Sequence, residues 1–345
     1  MAKFWMTLFL FSLLVSTAAI QGMLFLKNAP SAIEVYKIIE IPEGASFGEA
    51  TTLLRQEGLI TKPFYFRLLG KWTRNEKNIK PGEYALHTAM RPMEVLDFLV
   101  RGKILQHPVT LPEGSTSLEI GKALEEAHLL SAELFQTVIH DPVLMKEFGI
   151  DGETMEGYLF PDTYYFAKRT PPTEIVKRMV TQFQTNYNEA LRKRADELGM
   201  TQREVVTLAS IIEEETASPS ERALISAVFH NRLKKKMRLQ SDPTVIFSLT
   251  DFNGKLTKKS LQVPSPYNTY RFNGLPPGPI SNPGRESIYA ALFPADVDYL
   301  YFVSMNNGTH FFSSTLRDHN NAVRKFQKRK RQVTCRLCLP KSGSS

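Results

Sequence analysis

Apolar residues recur at helical spacing around position 210, and this segment is the most informative part of the chain. Val205, Leu208, Ala209 and Ile212 follow the i, i+3, i+4, i+7 pattern of an amphipathic helix with one buried face. The same helix runs on into three consecutive glutamates at positions 213–215. The pattern therefore predicts a core-facing helix that ends in a cluster of carboxylates.

One of these carboxylates, Glu215, falls on the edge of the apolar stripe, because it follows Ile212 by three residues and Leu208 by seven. Glu214 is expected to point towards solvent, and Glu213 lies on the other flank. A carboxyl held against apolar surface has a raised pKa, which a general acid needs. Glu215 is therefore the candidate catalytic residue, and a solvated helix end is the alternative.

The N-terminus carries an apolar run from Phe4 to Leu26 that contains no charged residue. Its length predicts a single transmembrane helix over residues 5–26, with residues 1–4 in the cytoplasm. A cleavable signal peptide is the alternative, since residues 16–19 are small. The run continues past Ala19, which favours an uncleaved anchor. We therefore expect a single-pass inner (cytoplasmic) membrane protein whose remainder lies in the periplasm.

A short repeat follows the anchor, since Ile-Pro-Glu-Gly-Ala-Ser at 41–46 recurs as Leu-Pro-Glu-Gly-Ser-Thr at 111–116. Each copy predicts a strand, a turn and a helix, with Ser46 and Ser117 as the helix caps. The first copy continues through a second helix and a returning strand at 81–86. This strand-helix-helix-strand order is typical of LysM-type carbohydrate-binding modules, and we predict a LysM-like βααβ module over residues 34–106. A generic small α+β domain fits the pattern equally well.

The remainder, residues 107–330, predicts a mixed α+β catalytic domain. Helical patterns alternate with an aromatic loop-and-strand segment at 157–164 and with loops rich in Pro, Gly and Asn between 240 and 284. A hairpin is expected across the Asn-Asn-Gly turn at 306–308. The predicted fold class is α+β, and polar loops beside a helical core are typical of a binding surface.

The net charge of +8 is concentrated in a basic stretch at 324–331. The tail at 331–345 is expected to be disordered, and its Cys335 and Cys338 form a single C-x-x-C, a weak metal or redox signal. The basic stretch contains no aromatic interleaving and no nucleic-acid motif, so we expect no nucleic-acid partner.

Other catalytic patterns are missing from the sequence. The seven histidines show no metal-ligand spacing, and there is no G-x-S-x-G elbow or phosphate-binding glycine loop. We therefore expect no metal and no cofactor. Carboxylate acid–base chemistry on a substrate outside the cytoplasm is what these observations favour, and aromatic and amide-rich loops suit a sugar polymer.

The motifs resemble those of the endolytic murein transglycosylase (YceG-like) family. The resemblance rests on Leu-Ala-Ser-Ile-Ile-Glu-Glu-Glu-Thr at 208–216, Arg-Leu-Gln-Ser-Asp-Pro-Thr at 238–244, Tyr-Asn-Thr-Tyr at 267–270 and Gly-Leu-Pro-Pro-Gly-Pro-Ile at 274–280. It extends from the anchor to about Phe326. It implies that the glutamate immediately before Thr216, which is Glu215, is catalytic. It also implies a LysM-like module joined to a catalytic domain in the periplasm.

The resemblance implies a lyase that cleaves the β-1,4 bond between N-acetylmuramic acid and N-acetylglucosamine in nascent peptidoglycan strands. The products would carry 1,6-anhydro-N-acetylmuramic acid ends, and glycan elongation would stop. The expected partners are peptidoglycan glycan strands, the inner membrane through the N-terminal helix, and peptidoglycan synthases. Position within the motifs makes five residues candidates for substrate binding, and they are Glu156, Gln240, Asp242, Tyr267 and Asn268.

Two alternatives stay open at the level of sequence. One is a lysozyme-like hydrolase that pairs Glu215 with a second acid such as Asp242, because hydrolases normally use two carboxyl groups. Asp242 precedes Pro243, however, and could equally be a turn residue. The other alternative is a non-catalytic, membrane-anchored protein that binds the cell wall.

Overall fold

The computed structural model describes residues 2–216, 218–249, 252 and 254–327. The predicted disordered tail at 331–345, with both cysteines, lies outside these residues. The chain forms two compact units, each described here by itself. The first contains the chain up to Pro108 together with Tyr165–Thr170, and the second contains Val109–Tyr164 and the chain from Pro171 onwards.

Helices and short strands alternate along the chain, which confirms a mixed helix-and-strand fold. The elements as far as the second unit are α1 (Ala2–Lys27), β1 (Tyr36–Ile41), α2 (Phe47–Gln56), α3 (Pro63–Trp72), β2 (Gly82–His87), α4 (Pro92–Arg101) and β3 (Gln106–Thr110). They continue as α5 (Ser117–Glu126), α6 (Ala132–Ile139), α7 (Pro142–Glu147), β4 (Thr163–Ala167), α8 (Pro172–Asn186), α9 (Glu189–Leu198) and α10 (Gln202–Glu215). The last elements are α11 (Arg222–Lys234), α12 (Asp242–Phe247), α13 (Arg285–Leu292), β5 (Tyr301–Ser304), β6 (His310–Ser313) and α14 (Leu316–Phe326).

In the first unit, β1 and β2 pair antiparallel, with Tyr36 opposite His87 and Ile41 opposite Gly82. Helices α2 and α3 lie between these strands along the chain, so the predicted strand-helix-helix-strand order is confirmed. The two helices close a core in which the rings of Phe47 and Phe66 stack at 5.4 Å. Aromatic and aliphatic side chains fill this core, and their close packing stabilises the folded unit.

Helix α1 is long and apolar enough to cross a membrane. Most of its side chains are exposed, as the lipid-facing residues of a membrane span would be in the absence of lipid. Phe25, near its end, is the exception, because it is buried in the core of the first unit.

The second unit is built around α10, whose residues Val205–Ile212 are all buried. The predicted capping box at its start is confirmed, since Thr201 and Glu204 satisfy each other's backbone N–H groups. The cap predicted for α5 is wrong by one residue. Ser117 is the first helical residue, and Thr116 is the cap, paired with the residue at the third helical position.

The predicted hairpin is confirmed as β5 and β6, with Tyr301 opposite Ser313 and Ser304 opposite His310. Three two-stranded sheets result among the described residues, namely β1–β2, β3–β4 and β5–β6. Short sheets of this kind do not form a core alone, so the helices supply most of the buried surface.

Candidate active site

Glu215 is the last residue of α10, and its carboxyl group is withdrawn from water. Burial raises the pKa of this carboxyl to about 7, and the negative charge of Asp242 acts in the same direction. The expectation of a raised pKa at Glu215 is therefore confirmed, whereas the predicted single apolar face of α10 is wrong, because Val205–Ile212 are all buried. At neutral pH the group is protonated about half of the time, which suits it to donate and accept a proton.

Ser241 holds the Glu215 carboxyl in place. Its hydroxyl donates a hydrogen bond to Oε1 of Glu215 at 2.8 Å, and this bond lowers the glutamate pKa against the larger effect of burial. Ser241 is itself buried, and its backbone N–H donates to the hydroxyl of Thr269 at 3.0 Å. Thr244 completes the arrangement, because its hydroxyl donates to the Ser241 carbonyl at 2.7 Å. The serine is thus fixed by two neighbouring segments before it contacts the acid.

Arg232 and His310 also act on Glu215, and both lower its pKa by a smaller amount than burial raises it. Arg232 is buried on α11 and donates to the carbonyls of Leu239 and Leu300 at 2.6 and 2.7 Å. His310, on β6, lies with Nδ1 at 2.7 Å from the carboxylate of Glu221. Each of these two side chains has other partners, and among the described residues neither forms an ion pair with Glu215.

Asp242 follows Ser241 and begins α12, with its side chain exposed. The hydroxyl of Tyr270 donates to Oδ1 of Asp242 at 2.6 Å. Burial, followed by this contact with a carboxylate, raises the pKa of the Tyr270 phenol. Asp242 is therefore a fixed negative charge close to the candidate acid, and it is positioned by a tyrosine and by a helix start.

The other two glutamates of the cluster behave differently. The Glu213 side chain is buried and accepts hydrogen bonds from Arg222 at 3.1 Å and from the backbone N–H of Gly284 at 2.9 Å. Glu214 is exposed as a residue, as expected from the helix geometry, but burial of its carboxyl raises its pKa, and a hydrogen bond with Ser281 acts in the opposite direction. Glu213 is thus paired with a cation, whereas burial raises the pKa of both Glu214 and Glu215, to about 7 for Glu215.

The structure places the five predicted substrate-binding residues in different surroundings. Asp242 lies next to the candidate acid, and Gln240 is exposed just before Ser241, in a left-handed conformation with φ of 52°. Tyr267 is half-buried and lines a cavity of about 490 Å³ that Glu215 does not line. These three side chains therefore keep surface that a ligand can reach.

Glu156 and Asn268 are buried, and their polar atoms are already bonded within the protein. Both oxygens of Glu156 accept from the backbone N–H of Ser117 at 3.0 Å. The Asn268 amide donates to the carbonyls of Leu261 and Val263 at 3.1 and 2.9 Å. Each therefore holds loops together in this conformation and presents no free polar atom to a substrate.

A further buried residue, Asn282, was not singled out from the sequence. Its Oδ1 accepts from the backbone N–H groups of Gly157 and Leu159 at 2.8 and 2.9 Å. Its amide donates to the Ser115 carbonyl at 2.9 Å and to Glu156 at 2.8 Å. One side chain thus ties the second copy of the repeat, the aromatic segment and the Pro/Gly-rich loop together. The local sequence around Asn282 does not predict these hydrogen bonds, because its partners are more than 120 positions away.

Among the residues that the structure describes, no group of three or more His, Cys, Asp or Glu side chains could hold a metal ion. His230, the histidine on α11, has Nε2 at 2.8 Å from the carbonyl of Ala291 and serves packing.

The fold and the site together define an α+β protein with a carboxyl of raised pKa at the end of a helix. A model of the YceG-like family matches residues 39–325. The chain is 32% identical over 333 residues to the endolytic murein transglycosylase of Bacillus subtilis (strain 168), with 91% of each chain covered. The chain belongs to the YceG-like family.

Two further relatives extend this result. The endolytic murein transglycosylase of Streptococcus pneumoniae serotype 2 is 28% identical over 327 residues, which cover 84% of this chain and 58% of the relative. A crystal structure of a yceG-like protein from Listeria monocytogenes matches with a TM-score of 0.60 and 34% identity, covering 83% of this chain and 98% of that one.

Proposed function

We propose that this protein is a peptidoglycan lyase, an endolytic murein transglycosylase that cleaves glycan strands between N-acetylmuramic acid and N-acetylglucosamine. The relatives named above carry this activity in their names. The main support for Glu215 as the reacting residue is its buried carboxyl. Its pKa of about 7 lets one group act first as an acid and then as a base. The products would carry 1,6-anhydro-N-acetylmuramic acid ends.

The proposed chemistry uses Glu215 twice. In the first stage its proton passes to the glycosidic oxygen, and the bond between that oxygen and C1 of the muramyl residue breaks. In the second stage the 6-hydroxyl of the same sugar bonds to C1, and its proton returns to the Glu215 carboxylate. No water is consumed, so a second carboxylate to activate water is not required, in contrast to hydrolases that use a pair of carboxyl groups.

Ser241 supports this double role, because its bond to Oε1 fixes the plane of the carboxyl group. Among the described residues, none donates a hydrogen bond to Oε2 of Glu215, so this oxygen is the one proposed to face the glycan. The exposed side chains of Gln240 and Asp242 flank Ser241 on the chain and are proposed to bind sugar hydroxyl and N-acetyl groups.

Product analysis with the full chain tests the proposal. Purified glycan strands should yield fragments that end in anhydro-muramic acid, each lighter by one water than the reducing end that a hydrolase leaves. Glu215→Gln should lower the rate by about 10²- to 10⁴-fold, the usual contribution of a general acid. The matched control is Glu133→Gln, which removes an exposed carboxyl on α6 and should retain activity.

Each other outcome would exclude one part of the proposal. Reducing ends would indicate the hydrolase that pairs Glu215 with Asp242. A Glu215→Gln variant that cleaves strands at the wild-type rate would remove Glu215 from the chemistry. A wild-type protein that binds strands without releasing fragments would indicate a non-catalytic wall-binding protein.

We also propose that α1 anchors the protein in the inner (cytoplasmic) membrane, with the N-terminus in the cytoplasm and the catalytic unit in the periplasm. The support is an apolar helix whose length matches a bilayer and whose side chains are largely exposed. Nascent strands are made at this membrane, so peptidoglycan synthases are the proposed protein partners. Protease added to intact spheroplasts should remove the catalytic unit if this orientation is right.

The first unit is proposed to be a LysM-like module that binds glycan and presents the strand for cleavage. The strand-helix-helix-strand order from β1 to β2 supports it. The predicted limits are residues 34–106 for the module and 107–330 for the catalytic domain.

A further inference from the structure

Helix α3 carries an exposed apolar stripe. Phe64, Leu68 and Trp72 are 72%, 51% and 75% exposed, and they follow one another at four-residue spacing. This spacing places all three on one face of the helix. The stripe is not the face that packs into the unit, because Phe66 and Leu69 are buried there. Three large apolar side chains on one exposed face are typical of a surface that binds a protein, a ligand or a membrane.

The stripe borders the proposed membrane anchor. Tyr65, next to Phe64, donates its hydroxyl to the carbonyl of Ala18 in α1 at 3.1 Å, and its ring lies 6.0 Å from the ring of Phe25. Side chains of both helices line an apolar groove of about 550 Å³. The stripe is thus continuous with the part of α1 that would be surrounded by lipid.

The contacts occur at the depth of the membrane interface. Leu26 is the last apolar residue of α1 before Lys27. At a rise of 1.5 Å per residue, Gly22 and Ala18 lie about 6 and 12 Å below Leu26 along the helix. An amphipathic helix in a membrane surface buries its apolar face by about 5–10 Å. Gly22, which the Tyr65 ring contacts, falls within this range when α1 spans the membrane, and Ala18 lies just below it.

The charge around the stripe fits an anionic membrane surface. Residues 59–75 contain four basic residues and no Asp or Glu. Arg67 and Lys71 are exposed and flank the stripe on the side away from Tyr65, by their positions around the helix. Lysine and arginine beside an apolar helix face attract anionic lipid headgroups.

We propose that α3 lies in the headgroup layer of the membrane crossed by α1, with Phe64, Leu68 and Trp72 inserted among the acyl chains. The inference rests on the membrane anchoring proposed above. It means that the first unit has two attachments to the membrane, a helix that crosses it and a helix that lies in it. The residues between α1 and β1 then do not act as a free tether.

The chain supplies its own reporters, because its two tryptophans are Trp5 in α1 and Trp72 in α3. The full-length protein is reconstituted into vesicles of phosphatidylethanolamine and phosphatidylglycerol whose acyl chains are brominated near the headgroup. In Trp5→Phe, the emission of Trp72 should fall at least about twofold relative to unbrominated vesicles, as expected for an indole at interfacial depth. Bromine near the chain end should quench less. In Trp72→Phe, the emission of Trp5 reports the insertion of α1.

A second pair of variants tests whether the stripe itself is responsible. Phe64→Ser/Leu68→Ser in the Trp5→Phe background should weaken the quenching of Trp72. The matched control is Leu118→Ser/Val143→Ser, which removes two similarly exposed apolar side chains from α5 and α7 and should leave the quenching unchanged. Equal loss in both would show that the stripe is not specific and would overturn the proposal.

The outcomes separate the two proposals. Quenching of Trp5 without quenching of Trp72 would overturn the docking of α3 and leave the anchor in place. Absence of both would overturn the anchor and the docking together. A Trp72 emission that shifts to shorter wavelength without being quenched by bromine would indicate a protein partner on the stripe in place of lipid, and would also overturn the proposal.

Discussion

Ser241 Oγ lies 2.8 Å from Glu215 Oε1, although the two residues are 26 positions apart, one at the end of α10 and the other just before α12. The hydroxyl lowers the pKa of Glu215, whereas burial raises it. It therefore helps to set the fraction of Glu215 that is protonated at a given pH. This relationship gives the first prediction.

The rate of strand cleavage should depend on the protonated form of Glu215. With a pKa of about 7, kcat/KM should fall as pH rises above 7, by about tenfold per pH unit. Ser241→Ala removes a bond that favours the charged form, so the fall should begin at higher pH. The measurement is a pH profile of fragment release from purified glycan strands.

The control for Ser241→Ala is Ser248→Ala, at the end of α12, where the hydroxyl donates to the Thr244 carbonyl. It should leave the profile unmoved. Ser241 forms no side-chain cap for α12, so its loss does not remove a helix cap. An unchanged profile in Ser241→Ala would contradict the role of the hydroxyl in setting the pKa.

Glu215 should also make the folded state less stable as pH rises. Its pKa is raised in the folded protein from 4.5 to about 7, so the unfolded chain releases this proton first. The stability linked to the bound proton, about 3 kcal/mol, is full below pH 4.5, falls as pH rises and is gone above about pH 7. Glu215→Gln, which cannot ionise, should therefore gain stability over wild type across this range.

Denaturant unfolding of both proteins at several pH values measures this difference. Glu133→Gln, at an exposed position in α6, is the matched control for the loss of a carboxyl group. A Glu215→Gln difference that stays constant from pH 4.5 to 8 would mean that the carboxyl is not held in a raised-pKa environment.

Gly157 should tolerate no side chain. Its φ is 88°, and an added Cβ would lie 2.4 Å from Pro279 Cγ and 2.8 Å from Val206 Cγ1. Gly157→Ala should lower the free energy of unfolding by about 2–4 kcal/mol, since strain and overpacking add. In Gly149→Ala, φ is 66° and the space is open, so only the conformational cost of about 1–2 kcal/mol applies. Equal losses in the two variants, measured in urea, would show that close packing at Gly157 has no energetic weight.

Asn282→Ala should destabilise the second unit, because it leaves two buried backbone N–H groups and one buried carboxylate without their partner. The expected loss is about 2–5 kcal/mol, in the range for buried polar groups that lose several bonds. Asn307→Ala, in the exposed hairpin turn, should cost much less. Thermal or urea unfolding compares the two, and similar losses would contradict the role of Asn282 as the central tie.

Glycan binding by the first unit can be tested without deleting it. Full-length Glu215→Gln, saturated with glycan strands, should show slower amide hydrogen exchange within residues 36–87 as well as around Ser241. Protection confined to the second unit would contradict a LysM-like role for residues 34–106. The free variant under identical conditions is the reference.

The sequence allowed the candidate acid to be predicted, because helical periodicity is local. The spacing of Val205, Leu208 and Ile212 predicted one buried face with Glu215 at its edge, whereas Val205–Ile212 are buried without interruption, so the single apolar stripe is wrong. The element order also followed from local signals such as the capping box at Thr201. The cap of α5 was misplaced by one residue, since Thr116 and Ser117 are both good caps and only the backbone conformation distinguishes them.

The rest of the site depends on contacts between distant segments. Ser241 stands beside Asp242 in a motif that drew attention to the carboxylate, yet its own contact with Glu215 needs the fold. Glu156 and Asn268 were predicted to bind substrate because of their motif positions, whereas they are buried with their polar atoms bonded internally. Spacing along a chain cannot distinguish a polar residue that lines a cleft from one that ties loops beneath it.

Glu215 is the last residue of α10, and this has an electrostatic consequence. The carbonyl groups at the end of a helix carry partial negative charge, which opposes a carboxylate and favours the neutral acid. The same glutamate at the first turn of a helix would meet backbone N–H groups and remain ionised at neutral pH. The direction in which α10 approaches Ser241 therefore favours the protonated form of Glu215, and a helix that approached with its N-terminus would favour the carboxylate.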